Sequence, residues 1–137
     1  MQTRTFLRPV LVGFLLALPL LSCSSRKVVV EREAAQRTRA EGFEEQFDAN
    51  GVLIFDKANG ARAYSMNCAG CHGDDGRKIH FTDSTSLQGL GQSSTNNVRR
   101  FWQIINFGDA ERGMKAFEKE ASFHDLLDIT GFAQTLN

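Results

Sequence analysis

The chain has 137 residues, with 16 Lys and Arg against 16 Asp and Glu, and 42% hydrophobic residues. That length suits one small domain with a single core. The even charge balance, with no basic stripe, speaks against nucleic acid as a partner.

Arg4 and Arg8 precede an apolar run from Val10 to Leu21, broken by Gly13 and Pro19. A bilayer span needs about 20 apolar residues; this run is shorter and suits the core of an export signal. Residues 1–22 are therefore expected to be a signal peptide. The run ends at Leu20-Leu21-Ser22-Cys23, which resembles the lipobox of bacterial lipoproteins, with Leu21 a less usual occupant of its slot. The resemblance implies that Cys23 becomes the lipidated first residue of the mature chain. Ordinary cleavage nearby is the alternative, and it leaves an unpaired thiol in an exported protein. Several acyl chains, at about 0.8 kcal/mol per buried methylene, anchor stably where one is marginal. The expected location is the cell membrane or outer membrane, facing the periplasm or the exterior. The leader takes Arg4 and Arg8 with it, so the mature chain carries 14 basic against 16 acidic residues, a balance with no strong electrostatic preference for one partner.

Residues 23–54 are expected to be a lipidated N-terminus and charged tether. Glu31, Arg32, Glu33, Arg37, Arg39, Glu41, Glu44 and Glu45 mix both signs and can lace a solvated helix, but few large apolar residues accompany them. Phe43 and Phe47, at i and i+4, offer one small stripe for docking, and Asp48 to Gly51 can close a turn.

Residues 55–137 form the expected domain. Asp56 is placed to cap a helix running to Asn67, which leads into Cys68-Ala69-Gly70-Cys71-His72. Gly73 to Gly91 reads as a loop, with glycines at 73, 76, 89 and 91. Thr95 to Phe107 reads as one helix with a stripe of Val98, Phe101, Trp102 and Ile105, and Gly108 stands in the C′ place. Asp109 to Lys115 is a polar loop. Ser122 with Asp125 opens a last helix that buries Leu126, Ile129 and Phe132 or Ala133. No strand series or internal repeat is visible, so the fold class is all-α.

The segment from Cys68 to His72 carries the chemistry. Two cysteines at i and i+3 followed at once by histidine supply two thiols for thioethers to a porphyrin and an imidazole for its iron. A thioredoxin-like pair would need a βαβ setting, and a structural zinc site would need a fourth ligand at metal spacing. With one cysteine for lipid and two for haem, none is left for a disulfide. The cofactor expected is one covalently bound haem c, with Cys68, Cys71 and His72 as binding residues. Met114 is the leading sixth ligand: it sits in a loop where Arg112, Gly113 and Lys115 continue no apolar stripe, and its soft sulfur favours ferrous iron. A gap-filling methionine is the plain alternative. Met66 lies too close to the attachment turn. His80 and His124 are weaker candidates, more simply surface or hydrogen-bonded histidines.

These residues resemble the class I c-type cytochromes of bacteria over roughly Phe55 to Asn137. Tyr64 to Gly73 is similar to the family's first helix and attachment turn, and Ile104 to Phe117 to the stretch bearing the axial methionine. The resemblance implies a small cytochrome c-like domain of short helices wrapped around one haem. It also implies that Gly60 and Tyr64 on the first helix meet Ile129 and Phe132 on the last. Lys115 stands where the family commonly has proline, and the usual proline is missing from the loop after the attachment turn. Leu87, Leu90, Phe101, Ile105, Phe117 and Leu126 are expected haem-wall residues, equally explained as core. Trp102, Arg99 or Arg100 can hold a propionate.

The function expected is electron transfer by a membrane-anchored monohaem cytochrome, cycling Fe(II)/Fe(III) between redox proteins such as a membrane respiratory complex or terminal oxidoreductase. It is expected not to be an enzyme, since the chain offers no coherent distal acid and base. Two alternatives stand beside it: an electron-transfer subunit of a larger oxidoreductase, and a haem enzyme or gas sensor with an exchangeable distal ligand.

Overall fold

A computed structural model describes residues 21–78 and 89–136, with side chains from residue 26 onward. The expected signal peptide, His80 and Leu87 lie outside the described residues, as does the side chain of Cys23. The chain divides into two units, 1–35 and Gln36–Asn137. The first helix, α1, spans Leu21–Glu44 and crosses that division. In the first unit the described side chains are all exposed, Val28, Val29 and Val30 included. No helix among the described residues is long and apolar enough to cross a membrane.

The second unit is all-α. After α1 come α2 (Lys57–Asn67), α3 (Ala69–His72), α4 (Leu90–Asn96), α5 (Val98–Phe107), a 3₁₀ turn at Ala110–Arg112 and α6 (Phe123–Ala133). The caps expected from sequence form. Asp56 accepts from the amides of Ala58 and Asn59 at the start of α2. Ser122 accepts from the amide of Asp125 and donates to its carboxylate at the start of α6.

The helix expected over Thr95–Phe107 is in fact two. Asn97 leaves the helical region at φ −151°, ψ 74°, and its side chain caps α5 by accepting from the Arg100 amide. An asparagine offers the backbone that local partner, which competes with continuing a helix. Helix α4 starts at Leu90, inside the stretch expected to be loop, because tertiary packing holds it. A Cβ on Gly91 would sit 1.5 Å from the Leu136 carbonyl oxygen, so the two backbones touch.

The crossing of α2 and α6 organises the core. A Cβ on Gly60 would lie 2.3 Å from the Asp128 carbonyl oxygen and 2.8 Å from the Phe132 Cβ. Glycine lets the helices close to that distance. Tyr64 and Phe132 then meet with ring centroids 5.4 Å apart, and Ile129 is fully buried, as the expected pairing requires. Beside the apolar contact, Asn59 donates to both Asp125 (3.1 Å) and Asp128 (2.7 Å), and Asp128 also accepts from the Asp56 amide. Asp128 is buried, and these donors replace the water it has lost.

The end of α1 that falls in the second unit packs more firmly than its charge-rich sequence implies. Phe43 is 1% exposed and stacks on Trp102 at 4.6 Å with planes 7° apart, and Phe47 meets it edge-on at 5.2 Å. The chain returns through a tight turn in which Gly51 donates to Asp48 and an antiparallel bridge pairs Phe47 with Leu53.

Candidate haem site

The attachment motif forms a separate helical turn. Cys68, at φ −120°, ends α2 and opens α3, where its carbonyl accepts from Cys71 (3.1 Å) and His72 (2.9 Å). Cys68 is half-buried and Cys71 exposed, so one thiol faces inward and the other outward. Burial, followed by the neighbouring Cys71, pushes the Cys68 thiol up to about 11. His72 is buried, and burial holds its imidazole below the usual pKa, which favours the neutral form that ligates metal.

The segment after the motif is pinned on three sides. The Tyr64 hydroxyl donates to the Gly73 carbonyl at 2.6 Å, across nine residues. Burial, then the charges of Cys68, Asp75 and Asp74, push that phenol up to about 12, so it stays a donor. The Lys78 amide donates to the His72 carbonyl at 2.9 Å, and its ammonium to Gly70 at 2.9 Å.

Met114 is half-buried against the same core that Cys68 and Ala69 flank. Its loop is closed by hydrogen bonds. The Asp109 and Met114 amides donate to each other's carbonyls at 2.9 Å, Gly113 turns the chain at φ +72°, and the Asp109 carboxylate caps the 3₁₀ turn. At the loop's base Gly108 has φ +76°, and a Cβ there would fall 2.7 Å from the Met114 carbonyl oxygen and 2.9 Å from the Ala116 nitrogen. Backbone therefore lies on backbone where the loop leaves α5. The Phe117 and Glu118 amides return to the Ile105 and Asn106 carbonyls at 3.0 to 3.2 Å.

Of the other residues singled out, Leu90, Phe101, Ile105, Phe117 and Leu126 are all buried in the core. His124 and Met66 are exposed. Arg99 grips Glu44 through two hydrogen bonds of 2.5 and 2.6 Å, and Arg100 is exposed. Trp102 is 2% exposed, and among the described residues its Nε1 donor has no acceptor. Among the described residues no group of three or more His, Cys, Asp and Glu could hold a metal ion by itself.

Two contributors were not singled out from sequence. Asn106 is fully buried, donates to the Trp102 carbonyl and accepts from Arg39 on α1. A polar residue beside Ile105 on the buried side of α5 was the available sign. Arg39 carried none, because its partners lie 67 and 79 residues away.

Comparison with protein families matches residues 55–132 to the family described as cytochrome C oxidase, cbb3-type, subunit III. The chain belongs to this family. It is a c-type cytochrome, and its cofactor is covalently bound haem c. No curated protein and no solved structure matches it. The match starts at Phe55, so α1 and the Phe47–Leu53 turn lie outside it.

Proposed function

We propose that the protein is a monohaem electron carrier held at a membrane by lipid on Cys23, passing single electrons between respiratory redox proteins. Cys68 and Cys71 would carry the thioethers, and His72 and Met114 would hold the iron. The observation that carries this reading is that the pinned turn bearing buried His72 and the hydrogen-bonded loop bearing Met114 border one core. Bound there, haem c supplies a one-electron Fe(II)/Fe(III) couple.

The residues fit that group on independent counts. One thiol is half-buried and the other exposed, as expected where the edge of a ring meets solvent and a partner. The buried indole N–H of Trp102 lacks an acceptor among the described residues, a state that costs about 1–3 kcal/mol, and a propionate oxygen would satisfy it. Arg99 is already committed to Glu44, which makes Trp102 the better of the propionate candidates. The protein's own part is to hold both ligand segments still, so that electron gain and loss need little rearrangement. It changes no substrate.

Intact-mass measurement with the reduced spectrum tests haem attachment; pigment extracted by acid-acetone would refute it. Met114→Ala should abolish the weak ferric band at the red end that marks sulfur ligation, and it should lower the potential. Cys23→Ser should release the protein from membranes. The family's description favours a second reading, in which the chain is a subunit of a larger oxidase-type complex. Size exclusion of the detergent-solubilised native protein separates a free carrier from a complex member.

A further inference from the structure

We infer that Arg39, on the helix that precedes the cytochrome domain proper, is a positioning residue for the axial-methionine loop, clamping its two ends with one guanidinium. The inference rests on the proposed ligation by Met114.

Arg39 donates through Nη1 to the Asn106 side-chain oxygen (2.6 Å) and through Nη2 to the Glu118 backbone carbonyl (2.9 Å). Asn106 stands near the end of α5, before the loop, and Glu118 stands just after it. Everything between, from Phe107 to Phe117, is therefore spanned by a single planar group. The clamp is not an exposed ion pair. Its acceptor Asn106 is fully buried, and the other arm of the same amide donates to the Trp102 carbonyl at 2.8 Å, which fixes the orientation of the acceptor. Phe43, one turn beyond Arg39 on α1, stacks on Trp102 and sets the helix at the right distance.

The loop needs such a brace. Between Gly108 and Phe117 the sequence has no proline and has glycines at 108 and 113, so its stiffness must come from hydrogen bonds. The bonds at its neck, from Phe117 and Glu118 to Ile105 and Asn106, are 3.0 to 3.2 Å long, and the Arg39 bonds are shorter. Charge-assisted bonds from a rigid fork are about twice as strong as neutral ones, and lysine cannot reproduce both arms. Loss of the clamp should free the neck and let an outside ligand displace the thioether.

The test is displacement of Met114 by free imidazole in the ferric, haem-loaded, full-length protein, read from loss of the red-end band, with the reduction potential measured alongside. Arg39→Ala is expected to bind imidazole about tenfold more tightly, equivalent to about 1.4 kcal/mol, and to lower the potential. Arg39→Lys should fall between, and it serves if the alanine variant does not accumulate. Asn59→Ala, which loosens the α2–α6 clip far along the chain from the loop, should lower thermal stability yet leave imidazole affinity within twofold. Wild-type affinity and band in both Arg39 variants, beside a Met114→Ala protein that loses the band, would overturn the clamp alone. A band that survives Met114→Ala would overturn the axial-ligand reading and the clamp with it. An equal rise in imidazole affinity in Asn59→Ala would reduce Arg39 to general stability and also overturn it.

Discussion

Gly108→Ala isolates how the methionine loop is held. At φ +76° and ψ 175° the residue occupies a region open essentially to glycine alone, and occupying it with a side chain costs about 1–3 kcal/mol. The new Cβ would also fall 2.7 Å from the Met114 oxygen, 2.9 Å from the Ala116 nitrogen and 3.0 Å from the Lys115 carbonyl carbon. All three are backbone atoms, so no side chain can rotate away. Relief requires moving the loop itself, and overpacking of this kind costs about 1–3 kcal/mol more. The sum is about 2–6 kcal/mol, to be read by denaturant unfolding of the haem-loaded protein. Because the displaced atoms belong to residues 114–116, the red-end ferric band should weaken as well. Gly113→Ala is the matched control: its φ is +72°, but a Cβ there meets nothing within 4 Å. It should cost only about 1–2 kcal/mol for the left-handed backbone and leave the band largely in place. If Gly108→Ala matched Gly113→Ala in stability and kept a full band, direct contact between the loop and α5 would not be what seats Met114.

Gly60→Ala should disrupt the α2–α6 crossing, since its Cβ would lie 2.3 Å from the Asp128 carbonyl oxygen, and a loss of about 2 kcal/mol or more is expected in denaturant unfolding. Tyr64→Phe removes the bond to the Gly73 carbonyl and should cost about 1–3 kcal/mol, measured the same way, because that acceptor loses its buried donor. Asp125 has its carboxyl held below the usual range, first by the Ser122 hydroxyl and then by Asn59. The unfolded value lies near 3.9, so this stabilisation is fully present above about pH 4 and fades as pH falls through the lower folded value. Asp125→Asn should therefore flatten the acid limb of the stability profile; a profile parallel to wild type would count against the α2–α6 clip.

Much of the fold was legible because it is written in short-range chemistry. Asp56 and Ser122 each cap a helix from within three residues, and the family resemblance at Gly60 and Tyr64 implied the close crossing that the structure has. The attachment motif was legible for the same reason, its three chemical groups lying within five consecutive residues. Most of what escaped was decided at a distance. Helix α4 begins inside an apparent loop because Gly91 rests on the Leu136 backbone, a contact that no local periodicity records. Asn97 divides an otherwise continuous pattern because its own side chain supplies a cap that competes with the helix. The charge-rich α1 was expected to offer only one small docking stripe at Phe43 and Phe47, and there Phe43 is fully packed, since one aromatic that finds a flat partner outweighs its solvated neighbours.

The two ligand segments are held by different means, and the difference bears on how the proposed redox site would fail. The His72 turn continues from α2 and is pinned by Tyr64 and Lys78, whose acceptors all lie within nine residues. The Met114 loop depends on contacts gathered from α5, the 117–120 turn and α1, the last being 67 or more residues away in sequence. Contacts that close long loops form only once the rest of the domain is in place, and they are the first to go when it loosens. Mild denaturant or heat should therefore strip the sulfur ligand before it unfolds α2 and α3. The red-end band would then be lost at a lower denaturant concentration than helical circular dichroism, and coincident transitions would show instead that both segments belong to one cooperative unit.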